Sequence, residues 1–98
     1  MQEKNLDKLF DGVIKKLKKS NSIQKSETIS NTTIINGTNS PFDSVAFVEL
    51  TTSLEEDLEK LTNKSFHIIL NDIPQFKKGE GKLKIKDLKN YIQKKIKK

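Results

Sequence analysis

Cysteine, arginine and tryptophan are all missing from this chain. Without cysteine there are no disulfides, no thiolate metal ligands and no cysteine nucleophile, and a reducing cytoplasmic setting is expected. Without tryptophan, and with only five phenylalanines and one tyrosine, the core has to be built mostly from Leu, Ile and Val. Without arginine, all nineteen basic residues are lysine. Phosphate and base-edge recognition usually draws on the bidentate fork of arginine, so no specific nucleic-acid contact is expected. No apolar run approaches the roughly 20 residues that cross a bilayer. The opening MQEKNLDKLF carries charges where a signal peptide needs an apolar stretch.

What remains describes one small domain. Ninety-eight residues support a single modest core, and the apolar and charged fractions are equal at 33%. That is low in apolar residues for a globular chain but short of disorder. The net charge of +6 is unevenly spread. Lysines cluster at 15–19 and from Lys77 to Lys98, whereas Asp43, Glu49, Glu55, Glu56, Asp57 and Glu59 form an acidic segment with no base. Three N-x-[ST] sequons, at Asn31, Asn36 and Asn63, are read as chance in a chain this rich in asparagine.

Periodicity supplies the elements. Leu6, Leu9, Phe10, Val13, Ile14 and Leu17 step by 3, 1, 3, 1 and 3. This predicts a helix over about 5–20, with Asn5 or Asp7 at its start and lysines in its last turn. The periodicity fails over 21–42, where Ser, Thr, Asn and Gly dominate and Gly37 and Pro41 mark turns. So long a loop is unusual unless it is functional or pinned to the core, and Ile23, Ile29, Ile34 and Ile35 are the candidate pins. Over 43–61 two parses compete. A strand at VAFVEL followed by a helix capped by Ser53-x-x-Glu56 is one; a single long helix burying Phe47, Leu50, Leu54, Leu58 and Leu61 is the other. The unbroken 3-4-4-3 spacing favours the long helix. The stretch 62–84 is irregular: FHIIL reads as a buried turn, a helical turn or a strand, Asn71 to Pro74 as a turn or short helix, and KKGEGK as a solvated loop. Ile85, Leu88, Tyr91, Ile92 and Ile96 predict a last amphipathic helix over about 85–96, whose N-cap is not evident. The expected fold is therefore all-α, three main helices with a long irregular first loop.

Catalysis finds no machinery here. The only histidine, His67, sits inside an apolar run and lacks the partners of a triad. Glu55, Glu56 and Asp57 are consecutive, so on a helix they diverge. No Gly-rich phosphate loop or metal-spaced cluster is present. Neither a catalytic residue nor a metal site is expected.

Ser44 is different. With Asp43 it forms a pair of cap-competent residues between the long loop and the apolar-acidic helix. A serine at a helix start is exposed, and the local N–H groups and positive dipole end suit a phosphate ester. Asp43 can help an incoming enzyme hold Mg²⁺ near the hydroxyl. Lacking a base of its own, Ser44 is expected to be modified by another protein.

The stretch DSVAFVELTTSLEEDL, Asp43 to Leu58, resembles the phosphopantetheine attachment motif of acyl carrier proteins. That pattern is Asp-Ser, an apolar residue, two variable positions, Val-Glu-Leu, then an acidic helix ending. The first helix, the Ser/Thr/Asn-rich loop and the closing LKIKDLKNYI follow the family's order. The resemblance implies a monomeric bundle of three long helices and usually a short extra one. It implies covalent 4'-phosphopantetheine on Ser44, whose terminal thiol holds an acyl group as a thioester, as in fatty acid or polyketide biosynthesis. Asp43 would assist the phosphopantetheinyl transferase, and Val45, Glu49, Glu55 and Glu56 would be read by acyl-transferring or synthase enzymes. Family members of fatty-acid synthesis are typically acidic overall and carry a glycine shortly before Asp-Ser, whereas this chain is +6 with Pro41-Phe42 there. Those departures point to a dedicated carrier for one pathway. The alternative reading is a small basic helical module, with Ser44 only a cap, docking on an acidic protein, nucleic acid or anionic membrane.

Overall fold

A computed structural model describes residues 3–36, 40–73 and 82–96. Three helices carry the fold: α1 over Glu3–Lys19, α2 over Ser44–Thr62 and α3 over Ile85–Ile96. Among the described residues there is no strand, and the architecture is a small all-α bundle in which α1 packs against both α2 and α3.

The spacing read from α1 buries Leu6, Phe10, Val13 and Leu17, with Leu9 and Ile14 packed at the edge. The helix begins at Glu3, so Asn5 and Asp7 lie inside it and cap nothing. It ends in a Schellman motif. Asn21 takes the left-handed conformation (φ 64°), its N–H bonds the Lys18 carbonyl and the Ser22 N–H reaches back to Leu17. Asparagine is one of the few residues that tolerate that conformation, and Ile23, two residues on, turns straight into the core.

The described parts of the first loop, 20–36 and 40–43, are irregular and folded onto the bundle. Ile23, Ile35 and Phe42 are buried, and Ile29 and Ile34 are half-buried. The loop also answers the question of α3's cap. Thr33 and Asn31 offer their backbone carbonyls to the N–H groups of Ile85 and Lys86, at 3.0 and 2.9 Å. Asp87, in the first turn, accepts from the Lys84 N–H at 3.0 Å. An antiparallel bridge pairs Ile34 with Lys84. The Ile35 N–H donates to the Leu83 carbonyl, and the Leu83 N–H to Oδ1 of Asn36. The orphan donors at the head of α3 are thus satisfied by a segment some fifty residues earlier.

Residues 44–62 form one helix, so VAFVEL is not a strand and Ser53 is a buried mid-helix residue, not a cap. The buried stripe differs from the one read off the sequence. Ala46, Leu50, Leu54 and Leu58 are buried with Ser53, Phe47 is only half-buried, and Leu61 is 61% exposed. Steps of four select Ala46 over Phe47 as the inward residue. Leu61 lies at the end of the bundle, in an open notch that it shares with Asn5, Lys8, Leu9, Thr62 and Ile96.

Phe66 to Ile69 of FHIIL form a strap without regular structure, neither buried turn nor strand, and only Leu70 is helical, opening a 3-10 turn over Leu70–Asp72. Phe66 and Ile73 anchor its two ends in the core. The turn expected at Gly37, Pro74, and the solvated stretch 77–81 lie outside the described residues.

Candidate functional site at the start of the second helix

Asp43 and Ser44 are equally good caps on paper, and the backbone decides between them. Asp43 is extended (φ −79°, ψ −179°), the geometry of an N-cap. Its Oδ1 accepts the Ala46 N–H at 2.7 Å and its carbonyl accepts the Phe47 N–H at 2.9 Å. Ser44 is therefore the first residue inside the helix, exposed, and its hydroxyl has no hydrogen bond among the described residues. Capping is not its role. The N–H groups of Ser44 and Val45 are the two first-turn donors that Asp43 does not take, and they sit at the positive end of the helix dipole. A phosphate ester on Ser44 fits this setting of an exposed hydroxyl and two adjacent N–H groups.

Around Ser44 the surface mixes apolar and acidic character. Val45 is 63% exposed and Val48, one turn on, is 59% exposed. The buried stripe runs through Ala46 and Leu50 and leaves Val48 outward. A shallow groove between α1 and α2 is lined by Lys16, Leu17, Val48, Glu49 and Thr52.

The acidic residues divide into two groups. Glu56 is exposed and makes no bond among the described residues. Glu49, half-buried, accepts the Ser22 hydroxyl on Oε2. Glu55 accepts the Ile68 N–H at 2.7 Å, and Glu59 the Phe66 N–H at 3.3 Å, so these two hold the strap. Ser22 was not among the residues singled out from the sequence, and Glu59 was read only as part of the acidic segment. Nothing local marks Ser22, whose partner is 27 residues away.

His67 is exposed on the strap. The strap meets α2 at Glu55 and Glu59, the nearer of them eleven residues, or about 16 Å, along the helix from Ser44. The two side chains that a serine–histidine pair would need are not neighbours. Among the described residues no helix is long and apolar enough to cross a membrane, and no group of three or more His or carboxylate side chains is placed to hold a metal ion. Compared with known protein families, curated proteins and solved structures, the chain matches none.

Proposed function

We propose that this protein is an acyl carrier, modified on Ser44 by a phosphopantetheinyl transferase and used by acyl-transferring or synthase enzymes. The observation that carries the reading is the state of Ser44: an exposed hydroxyl without a hydrogen-bond partner among the described residues, directly after a capping aspartate and before Val45, Val48 and Glu49. A serine kept for helix stability would be expected to cap, and Asp43 has that task. Phosphopantetheine would be linked through Ser44 Oγ, with the Ser44 and Val45 N–H groups beside its phosphate, and it supplies a flexible arm ending in a thiol that carries acyl groups.

The chain's own residues then hold and present. Asp43 fixes the first turn of α2 and leaves its second carboxylate oxygen for a metal brought by the transferase. Val45 and Val48 give partners an apolar contact, and Glu49 and Glu56 give them charge, which favours fast and exchangeable docking. The core between the helices, Leu50, Leu54 and Ile92 with half-buried Phe47 and Ile68 at its edge, is where we place a sheltered acyl chain. Acyl loading should shift the methyl NMR signals of these residues.

The deciding experiment is an intact mass after incubation with coenzyme A, Mg²⁺ and a broad-specificity phosphopantetheinyl transferase, for the wild type and Ser44→Ala. A gain of one phosphopantetheine by the wild type only supports the reading. No gain by folded wild-type protein across several transferases overturns it.

A further inference from the structure

The end of the bundle remote from Ser44 has a different character. There the start of α1, the end of α2 and the end of α3 converge on a notch lined by Asn5, Lys8, Leu9, Leu61, Thr62 and Ile96. Leu61 projects from it with most of its side chain in solvent. Leu9 and Ile96 are only partly covered. Exposed lysines accompany this apolar centre: Lys8 on α1 lines the notch, and Lys60 and Lys64 flank Leu61 in sequence at the close of α2. Two of the nearby acids are engaged, and the others on α2 stand back from its end. Asp7 is paired with Lys89 at 2.9 Å, Glu59 is held by the Phe66 N–H, and Glu56 and Asp57 lie a turn or more back along α2.

We propose that this end is a docking surface for an anionic lipid bilayer, with Leu61 entering the headgroup boundary and Lys8, Lys60 and Lys64 lying against it. Three features favour a lipid surface over an acidic protein or a nucleic acid. A protruding leucine with partly exposed apolar neighbours suits insertion between headgroups, whereas a phosphate backbone has nothing to receive it. Lysine stems pack along apolar surface while their ammonium groups reach outward. All the cations are lysines, compact point charges suited to a diffuse negative surface, and none offers the planar fork that recognises a particular carboxylate or phosphate. Leu61 stands seventeen residues beyond Ser44 on the same helix, about 25 Å along its axis. Docking at this end therefore leaves the Ser44 end facing away from the bilayer. The inference does not depend on what Ser44 carries.

The test is co-sedimentation of the full chain with phosphatidylcholine vesicles, with and without phosphatidylglycerol. Binding is expected only to the phosphatidylglycerol-containing vesicles, and to be lost in high salt. Leu61→Ser and the double variant Lys60→Glu/Lys64→Glu should each lower the bound fraction several-fold. Lys19→Glu, at the opposite end of α1, should bind like the wild type. Because all four positions are exposed, unchanged far-UV circular dichroism will show that the variants are folded. The proposal is overturned by no binding to the anionic vesicles, by equal binding to neutral ones, or by full binding of Leu61→Ser. It is equally overturned if Lys19→Glu weakens binding as much as the double variant, since net charge alone would then be responsible. Retention of duplex DNA without vesicle binding assigns the lysines to another partner.

Discussion

Ser22 donates its hydroxyl to Oε2 of Glu49 at 2.5 Å, tying the turn after α1 to the helix that Ser44 begins. Ser20 extends the link by donating to Ser22 Oγ, 2.9 Å away, with the one proton that it would otherwise give the Leu17 carbonyl at 3.1 Å. A chain of hydroxyls thus runs from the last turn of α1 to a carboxylate on α2. Ser22→Ala removes the charge-assisted bond but leaves Glu49 with access to water. The expected cost is about 1–2 kcal/mol, read as a lower urea midpoint at unchanged slope. An unchanged midpoint would show that water replaces the serine at no loss.

Asp43 and Ser44 should respond in opposite ways to removal of their side chains. Asp43→Ala leaves the Ala46 N–H without its partner and should cost about 1 kcal/mol, while Asp43→Asn, an equally good cap, should keep most of that stability. Ser44→Ala should be close to neutral, within about 0.5 kcal/mol, because its hydroxyl bonds nothing among the described residues. Urea unfolding of the three variants checks this. A loss for Ser44→Ala as large as that for Asp43→Ala would mean that the serine shares the capping.

Two leucines of α2 separate the buried stripe from its apparent continuation. Leu50 is fully buried and Leu61 largely exposed. Leu50→Ala should cost about 2–5 kcal/mol, a large part of the 5–15 kcal/mol expected for a domain of this size. Leu61→Ala should fall within about 0.5 kcal/mol. In thermal melts the first should lower Tm by ten degrees or more, at roughly 4–8 °C per kcal/mol, and the second should barely move it. Similar losses at both sites would place Leu61 in the core.

The three helices could be read from the sequence because each carries its own amphipathic spacing, a property of neighbours three and four apart. The misread residues all depend on something further away. Phe47 outweighs Ala46 on any hydrophobicity scale, yet the axis of α1 against α2 turns Ala46 inward. Leu61 continues the apolar spacing, but nothing in its own helix says where the other two stop. The cap of α3 was hidden because its acceptors, the carbonyls of Asn31 and Thr33, are backbone groups of a distant loop. At the candidate site, Asp43 and Ser44 were both visible, and their division of labour was not. It rests on one backbone angle that places Asp43 outside the helix and Ser44 inside it.

The strap offers the sharpest test of side-chain control over backbone. Four bonds grip it from both sides. Glu59 and Glu55 of α2 accept the N–H groups of Phe66 and Ile68, while on α3 the Tyr91 hydroxyl accepts the Ile69 N–H at 3.1 Å and Lys95 Nζ donates to the His67 carbonyl. Lys95 also lies over the rings of Phe66 and Tyr91, at 5.3 and 5.5 Å, so α2 and α3 are joined through the strap. No sheet ladder protects these amides, and each depends on a single side chain. Glu55→Ala should speed hydrogen exchange at Ile68 by roughly five- to tenfold, equivalent to about 1–1.4 kcal/mol of lost local protection. Tyr91→Phe should do the same at Ile69, and neither should change exchange at Val13 in α1. Glu55→Gln, which keeps an acceptor oxygen, should retain most of the protection at Ile68. If Ile68 exchanges at the same rate in Glu55→Ala, burial of Phe66 and Ile73 holds the strap and the carboxylate is incidental. If Val13 quickens equally, the strap opens only when the whole bundle unfolds.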